Sequence, residues 1–280
     1  MPATRHEFDV LVLGSGIAGL NFALHAAQHG RVGLVTKKNR ADSNTNWAQG
    51  GIASVTSRED SFELHIRDTL DAGAGLCRES VVRTIVEEGP ARIQELLELG
   101  ARFTEREIPA EPGRRELDLT REGGHSKRRV LHAADATGAE LERTYLQAIA
   151  SESNITVLED HLAIDLITSA KIGAAGPNRI LGVYVLDRIR QEVEVFAAPV
   201  VVLATGGSGK VYLYTTNPDI ATGDGVAMAY RAGLPIANME FVQFHPTCLF
   251  HPQVRNFLIS EAVRGEGAVL RGADGKRFMD

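Results

Sequence analysis

Three glycines near the start of the chain have the spacing of a nucleotide phosphate site. Gly14, Gly16 and Gly19 follow an apolar segment at 8–13 and run into a helix-forming segment at 20–27. The first glycine permits a tight turn, the second lets the backbone approach a pyrophosphate, and the third lets the helix pack on the strand. The helix N-terminus adds free N–H groups and partial positive charge. The predicted dinucleotide site comprises Gly14, Ser15, Gly16, Ile17, Ala18 and Gly19.

The residues after the second predicted strand leave the nucleotide open. The apolar segment 32–36 completes a βαβ unit, and Lys37 and Lys38 follow it. An NAD site usually has an acidic residue at this place, which binds the ribose hydroxyls. A basic residue fits either the 2′-phosphate of NADP or a flavin nucleotide whose ribose is bound differently.

Polar residues gather beside glycines in three further stretches. Residues 41–53 suit either a loop that crosses a flat ligand or a surface loop, and residues 119–126 suit either a polar wall of a site or a solvated turn. Residues 240–267 place a histidine, a serine, a glutamate and an arginine among glycines. A lone histidine is more often structural, but the nearby Ser-Glu-x-x-Arg cluster favours a site. The candidates are His245, Ser260, Glu261 and Arg264.

These residues require an α/β framework. The apolar segment 199–203 runs into glycines, which predicts a parallel strand whose carboxyl end lies near the first glycine turn, because such sheets bind ligands there. Segments 180–186 and 193–196 predict an antiparallel meander. Asp224 stands at the start of a further helix, which it is expected to cap; it either serves the cap alone or also accepts a hydrogen bond from a ligand hydroxyl. The predicted fold is a Rossmann-like parallel sheet with an antiparallel meander.

Bulk properties exclude several classes of protein. The 280 residues are 44% hydrophobic and 24% charged, which is typical of a globular protein with a sizeable core. A net charge of −6 argues against general nucleic-acid binding. No apolar run is long enough to span a bilayer, and the first strand begins too early for a signal peptide. Cys77 and Cys248 form no C-x-x-C pair, which predicts two buried thiols in a reducing cytoplasm.

Taken together, the motifs resemble the succinate dehydrogenase and fumarate reductase flavoprotein superfamily and, within it, the L-aspartate oxidase family. The resemblance covers nearly the whole chain. The motifs that carry it are Ala48–Gly51, the 119–138 run, Ala204–Gly207, the 215–225 run, Gln243–Leu249 and Glu261–Gly267.

The resemblance implies FAD, with its pyrophosphate on the glycine turn and its isoalloxazine ring against residues 44–51. Respiratory members bind the flavin covalently through a histidine at the place of Asn44. Asparagine cannot form that bond, so non-covalent FAD is expected. Beyond the glycine turn, the implied FAD-binding residues are Lys37, Asn44, Thr45, Asn46, Trp47, Ala48, Gln49, Gly50, Gly51, Ala163, Thr205, Gly206, Gly207 and Asp224.

The implied reaction is oxidation of L-aspartate to iminoaspartate, with hydride transfer from Cα to flavin N5. Glu122 would pair with the substrate ammonium and reject succinate, which lacks that group. His245 would bind a substrate carboxylate, and Ser260, where the family more often has threonine, would donate a hydrogen bond. Glu261 and Arg264 resemble the proton-relay pair of the fumarate reductases.

The resemblance also implies a metabolic place and partners. Oxygen or fumarate would reoxidise the flavin, and iminoaspartate would feed quinolinate in the de novo synthesis of NAD, with quinolinate synthase as a candidate partner. No metal, nucleic acid or membrane is expected. The alternatives are a fumarate reductase or succinate dehydrogenase flavoprotein and a non-catalytic FAD-binding module.

By resemblance, residues 1–237 form the FAD-binding domain and residues 238–280 begin an α+β substrate-capping domain. Members of the superfamily continue for roughly as long again and carry their main catalytic arginine in that part. The 280-residue chain alone is therefore expected to be inactive or nearly so.

Overall fold

The computed structural model describes residues 4–109, 111–245 and 247–279, apart from the side chains of residues 254–256 and 261–262. Its helices are α1 (Ile17–Ala26), α2 (Phe62–Ala72), α3 (Glu79–Glu98), α4 (Thr137–Ala150), α5 (Asp224–Arg231) and α6 (Glu261–Gly265). Its strands are β1 (Arg5–Glu7), β2 (Val10–Leu13), β3 (Val32–Val35), β4 (Ile52–Ala53), β5 (Glu105–Glu107), β6 (Arg115–Leu117), β7 (Leu119–Thr120), β8 (Val130–Leu131), β9 (Ile155–Leu158), β10 (His161–Thr168), β11 (Ile180–Asp187), β12 (Glu192–Ala197), β13 (Val200–Leu203), β14 (Cys248–His251) and β15 (Val254–Leu258). No helix in the described ranges has the length and apolar character needed to cross a membrane.

The chain divides into two compact units. The first combines residues 1–47 with 141–246, and the second combines residues 48–140 with 247–280. This division is based on contacts between residues within each unit. The boundary predicted at residue 237 separates an FAD-binding domain from a capping domain by their functions, and it stays a prediction.

A parallel sheet in the order β13-β2-β3-β9 forms the centre of the first unit. Val10 lies opposite both Val32 and Val200 in the pairing of β2 with its two neighbours. Leu11 and Val12 have no exposed surface. Such continuous apolar strands are typical of a parallel sheet that is covered on both faces.

An antiparallel meander of β10, β11 and β12 completes the first unit, and β1 pairs with β12 in parallel. Val183, Val185 and Phe196 from the meander are fully buried in one cluster with Leu11 and Leu13 of β2. The predicted α/β fold, with its parallel sheet and its antiparallel meander, is confirmed.

The second unit is more fragmented. Helices α2 and α3 pack through Ile66, Val82 and Val86, and Ser61 caps α2 by accepting a hydrogen bond from the Leu64 N–H at 3.2 Å. Three small sheets accompany them: the β5-β6 hairpin, the β4-β8-β7 sheet and the β14-β15 hairpin.

Two local predictions are wrong. The N-cap of α5 is Gly223, whose φ is 76°, and Asp224 is the first helical residue, so the expectation that Asp224 caps the helix is wrong. Cys248 is exposed instead of buried, and Cys77 is half-buried; both are free thiols.

Backbone packing explains two glycines of the first turn. A Cβ built on Gly14, whose φ is +112°, would lie 2.3 Å from the Ala204 carbonyl oxygen. A Cβ on Gly19 would lie 2.0 Å from the Gly14 carbonyl oxygen, whereas the nearest described atom to a Cβ on Gly16 would be Thr45 Oγ1, at 3.4 Å. The fold therefore requires Gly14 and Gly19, and the space at Gly16 is open to a ligand.

Replacing Gly14 by alanine should lower the free energy of unfolding by at least about 3 kcal/mol, because the left-handed backbone and the contact with a carbonyl oxygen act together. Gly233→Ala is the matched control, since Gly233 has a φ of +84° and a Cβ added there would meet no described atom within 4 Å. The control should lose only about 1–2 kcal/mol. Equal losses in urea unfolding would contradict the backbone contact.

Glu142 is one of the buried acids of the first unit, together with Asp187 and Glu194. The Glu142 side chain on α4 is 1% exposed, and its Oε2 accepts a hydrogen bond from Ser43 Oγ at 2.8 Å. Its Oε1 has no hydrogen-bond partner among the described residues. Burial raises the pKa of Glu142 from 4.5 to about 7, although the Ser43 hydrogen bond acts in the opposite direction.

This pKa makes stability depend on pH. Because the folded chain holds the Glu142 proton more tightly than the unfolded chain, the Glu142 contribution is fully present below pH 4.5 and is lost as the pH rises to about 7. Relative to Glu142→Gln, the wild-type chain should lose up to about 3 kcal/mol of unfolding free energy across this window. Urea unfolding of both chains at several pH values measures the difference. A difference that is independent of pH would contradict a buried, neutral Glu142.

Candidate functional site

A cavity of about 390 Å³ lies at the carboxyl ends of three parallel strands in the first unit. Leu13, Val35 and Leu203, the last residues of β2, β3 and β13, belong to its lining. Doubly wound sheets bind ligands at this place, and the volume falls within the range of about 300–1,000 Å³ that small-molecule sites occupy.

The glycine turn forms one wall of this cavity. Gly16 is the N-cap of α1 and has no side chain to occupy the N–H groups of the first helical turn. Thr45 Oγ1 accepts one of them, from Ile17, at 3.0 Å. The buried Ser15 hydroxyl donates to Thr36 Oγ1 at 3.0 Å. The wall thus presents backbone and partial positive charge, as an anionic group requires.

Lys37 is already paired within the cavity wall. Its Nζ donates to Asp224 Oδ2 and to Thr222 Oγ1, both at 2.6 Å. Thr222 Oγ1 in turn donates to Asp224 Oδ1 at 2.7 Å. Since the Asp224 carboxylate balances the lysine charge, Lys37 needs no ligand phosphate as its counter-ion. This arrangement weighs against the NADP alternative.

Asn44 brings an unsatisfied polar atom to the cavity. It belongs to the lining, and its Oδ1 is buried with no hydrogen-bond partner in the described part of the chain. Buried polar atoms in native structures normally have partners. A donor group on a bound ligand would satisfy this oxygen.

Most of the predicted cofactor residues of the first unit line one cavity. They are Gly14, Ser15, Gly16, Ile17, Ala18, Lys37, Asn44, Thr45, Ala163, Thr205, Gly206 and Asp224. Four others lie outside the lining: Gly19 packs on Gly14, the Asn46 N–H donates to Ser43 Oγ, Trp47 is 65% exposed, and the Gly207 carbonyl accepts from the Gly223 N–H.

Besides the strand ends and Ala204, several lining residues were not among the predicted cofactor residues. They are Thr36, Asp42, Ser43, His161, Leu162, Ile220 and Met228. Asp42 and Ser43 belong to the predicted loop 41–53 and precede the residues 44–51 assigned to the flavin, and Leu162 directly precedes Ala163, so adjacency was an available signal for these. Ile220 and Met228 are apolar and carried no such signal.

In the second unit, Glu122 lies beside the predicted flavin loop. A Cβ built on Gly50 would lie 3.6 Å from Glu122 Oε1. A Cβ on Gly51 would lie 2.2 Å from the Leu131 carbonyl oxygen, so the pairing of β4 with β8 requires that glycine. The structure therefore brings together two predicted site residues, Gly50 and Glu122, that are far apart in sequence.

The other predicted loop residues of this unit are held by backbone contacts. The Ala48 carbonyl accepts from the Gly138 N–H at 2.9 Å. Gln49 Nε2 donates to the Leu258 carbonyl at 3.3 Å. The Gln49 Oε1 atom is buried with no hydrogen-bond partner in the ranges the structure covers, and it resembles Asn44 Oδ1 in this respect.

The predicted catalytic residues of the C-terminal stretch are placed in part. Ser260 Oγ donates to Asp135 Oδ1 at 2.6 Å, a partner that the sequence did not indicate. Arg264 lies in the last turn of α6, and a Cβ on Gly265 would lie 2.6 Å from the Arg121 carbonyl oxygen, so α6 ends beside the loop of Glu122.

Glu261 and His245 are the two other predicted residues of this stretch. The side chain of Glu261 lies outside the described residues. His245 belongs to the first unit, in the segment between α5 and β14, and is half-buried.

A buried ion network anchors the loop of Glu122. Arg129 is 0% exposed and donates to Asp60 at 2.7 and 2.8 Å and to Asp68 at 2.6 Å. Asp68 Oδ2 also accepts from the N–H and the hydroxyl of Ser126, both at 2.8 Å. These hydrogen bonds outweigh burial and lower the pKa of Asp68. Charge-assisted hydrogen bonds are stronger than neutral ones, so these contacts fix Ser126, four positions after Glu122.

Two curated relatives show how far the sequence similarity extends. L-aspartate oxidase 1 of Ralstonia nicotianae is 57% identical over 273 residues, which are 98% of this chain and 50% of the relative. The L-aspartate oxidase of Vibrio cholerae is 53% identical over 275 residues, which are 98% of this chain and 51% of the relative. The chain thus spans about half the length of these relatives.

Solved structures share the fold. An E. coli quinol fumarate reductase chain superposes with a TM-score of 0.87 at 33% identity, covering 98% of this chain and 44% of its own. The apo form of the Mycobacterium smegmatis Sdh1 complex gives a TM-score of 0.83 at 35% identity, covering 97% of this chain and 46% of its own.

The family assignment comes from a match that includes both units. The family model described as FAD binding domain matches residues 9–280, and the glycine turn, the cavity and the motifs beyond them lie within this match. The chain therefore belongs to the FAD binding domain family, and FAD is its cofactor.

Proposed function

We propose that the protein oxidises L-aspartate to iminoaspartate, the first step of de novo NAD synthesis through quinolinate. FAD, when bound, supplies the hydride acceptor. The observation that carries the proposal is the position of Glu122, whose carboxylate lies beside Gly50 in the loop assigned to the flavin.

The cavity of the first unit fits FAD. Its glycine wall suits a pyrophosphate, and its apolar strand ends suit flat ring systems. The unsatisfied Asn44 Oδ1 offers an acceptor. Asparagine forms no covalent bond to a flavin, so we propose that FAD is held by these contacts alone. The predicted FAD-binding residues keep this role in the proposal.

Glu122 gives the site its choice between substrates. Aspartate and succinate differ at Cα, where aspartate carries an ammonium group. A carboxylate would pair with that ammonium, whereas succinate would offer no cation at Cα and would add a like charge beside Glu122. Sites built to bind such a group can reject an analogue without it by about 10⁴-fold.

A dicarboxylate without an amino group is the second candidate substrate, because the similar solved structures include a fumarate reductase and an Sdh1 complex. The carboxylate of Glu122 beside Gly50 disfavours it. Fumarate fits better as an electron acceptor alongside oxygen.

The remaining roles follow the same reaction. We assign His245 to a substrate carboxylate, Ser260 to a hydrogen bond with substrate, and Glu261 with Arg264 to proton transfer. For Ser260 to serve substrate, its hydroxyl would have to leave Asp135. A cytoplasmic location and quinolinate synthase as a partner belong to the same proposal.

Anaerobic reduction of bound flavin tests the proposal. L-aspartate should bleach the flavin absorbance of the purified protein, succinate should not, and acid precipitation should release the flavin. The test uses both the chain and a chimera in which this chain replaces the matching half of the Ralstonia nicotianae relative. Bleaching of the chimera by succinate but not by aspartate would contradict the proposal.

In the chimera, replacing Glu122 by glutamine should narrow the preference for aspartate over succinate by about 100-fold in kcat/KM, because a neutral amide neither pairs with ammonium nor repels carboxylate. Glu116→Gln is the control, since Glu116 pairs with Arg106 at 2.9 Å in the exposed hairpin. An unchanged preference in Glu122→Gln would remove Glu122 from substrate selection.

The ion network yields a separate prediction. Asp68→Asn should lower stability by about 3 kcal/mol, because it leaves Arg129 buried with one carboxylate fewer. In the chimera it should also raise KM for aspartate, since the N–H and the hydroxyl of Ser126 lose their carboxylate acceptor. Asp71→Asn on the exposed face of the same helix is the control. Normal stability and KM in Asp68→Asn would show that the network does not hold the loop.

A further inference from the structure

We propose that Glu142 is a positioning residue for FAD, acting through Ser43 on the loop at residues 43–47. This inference rests on FAD as the cofactor and does not depend on the substrate. Glu142 lies behind the described cavity lining and is not part of it. Its influence would pass through a chain of three hydrogen bonds.

The first link joins the core to the loop. Glu142 lies in a 14-residue helix, α4, and is 1% exposed. Its Oε2 accepts the Ser43 hydroxyl proton at 2.8 Å. Ser43 is itself buried, at 4% exposure, and lines the cavity. A rigid element therefore fixes the direction in which the serine hydroxyl points.

The second link depends on that direction. Ser43 Oγ accepts the N–H of Asn46 at 3.1 Å, where the 3-10 turn Thr45–Trp47 begins. A hydroxyl has one proton, so its donation to Glu142 leaves the lone pairs for Asn46. The hydrogen bond to Glu142 thus orients the Ser43 hydroxyl so that its oxygen accepts the N–H of Asn46 in the turn.

The third link reaches the glycine turn. Thr45 Oγ1 accepts the N–H of Ile17 at 3.0 Å, in the first turn of α1. Asn44 and Thr45 both line the cavity. We therefore infer that Glu142 controls the position of these two side chains relative to the glycine turn.

Stability alone does not account for an acid at this place. Glu142 Oε1 is buried without a hydrogen-bond partner in the described part of the chain, and such an atom destabilises the fold. An apolar residue of similar size would avoid that cost. Buried polar groups that a protein keeps although they lower its stability are typical of functional sites.

Titration of flavin fluorescence with the purified chain tests the proposal. Glu142→Leu removes the acceptor and should weaken FAD binding about tenfold, the loss expected for one hydrogen bond to a carboxyl. Glu142→Gln keeps an acceptor oxygen and should bind FAD within about threefold of wild type. Ser43→Ala should resemble Glu142→Leu, and the double variant should lose nothing further, because both changes break one chain.

A control separates positioning from stability. Ile149→Val removes a buried methyl from the same helix, at 3% exposure, and should lower stability by about 1 kcal/mol without changing the FAD Kd. Hydrogen exchange at residues 43–47 gives a second readout without FAD: Ser43→Ala and Glu142→Leu should exchange faster, and Glu142→Gln should not. If Glu142→Leu fails to fold, the FAD Kd and the hydrogen exchange of Ser43→Ala still test whether this hydrogen-bond chain positions FAD. The proposal would be overturned if Ser43→Ala kept the wild-type FAD Kd and the wild-type hydrogen-exchange rates at residues 43–47. It would also be overturned if the losses of FAD affinity were additive in the double variant.

Discussion

The closeness of three backbone segments is the constraint on which the rest of the first unit depends. At Gly14 the chain passes so near to Ala204 that no side chain fits between them, and at Gly19 the helix presses on Gly14 itself. These contacts bring the ends of β2 and β13 and the start of α1 to one point. The cavity exists because the strands end there while the helix begins. Gly16 has space around it, and that space remains for the ligand.

Local patterns in the sequence were sufficient for the framework. Gly14, Gly16 and Gly19 indicated the turn, and the apolar run before Ala204 indicated a returning parallel strand; both are correct because buried parallel strands read as continuous hydrophobic segments. The pairing of Lys37 with Asp224 could not be found in this way, since 187 positions separate the two residues. A lysine at the end of a strand indicates that a counter-ion is needed, but the sequence pattern does not show which residue supplies it.

The candidate site was predictable to a similar depth. Residue types made Ser260 a candidate and the family resemblance named Glu122, but the neighbour of each depends on folding: Gly50 for Glu122, and Asp135 for Ser260. Glu142 gave no signal, because a glutamate within a helical segment reads as a solvated residue. Its burial depends on which face of α4 packs inward. Sequence patterns thus reveal the groups that meet a ligand more readily than the groups that hold them.

The strand order also determines when the cofactor site can form during synthesis. Strand β2 lies between β3, which follows it closely along the chain, and β13, which is made some 190 residues later. Until β13 leaves the ribosome, one edge of β2 has no partner, and an open apolar edge invites pairing with other chains. The acidic partner of Lys37 is translated later still, at position 224. A nascent chain therefore cannot complete its nucleotide cavity until most of these residues have been translated.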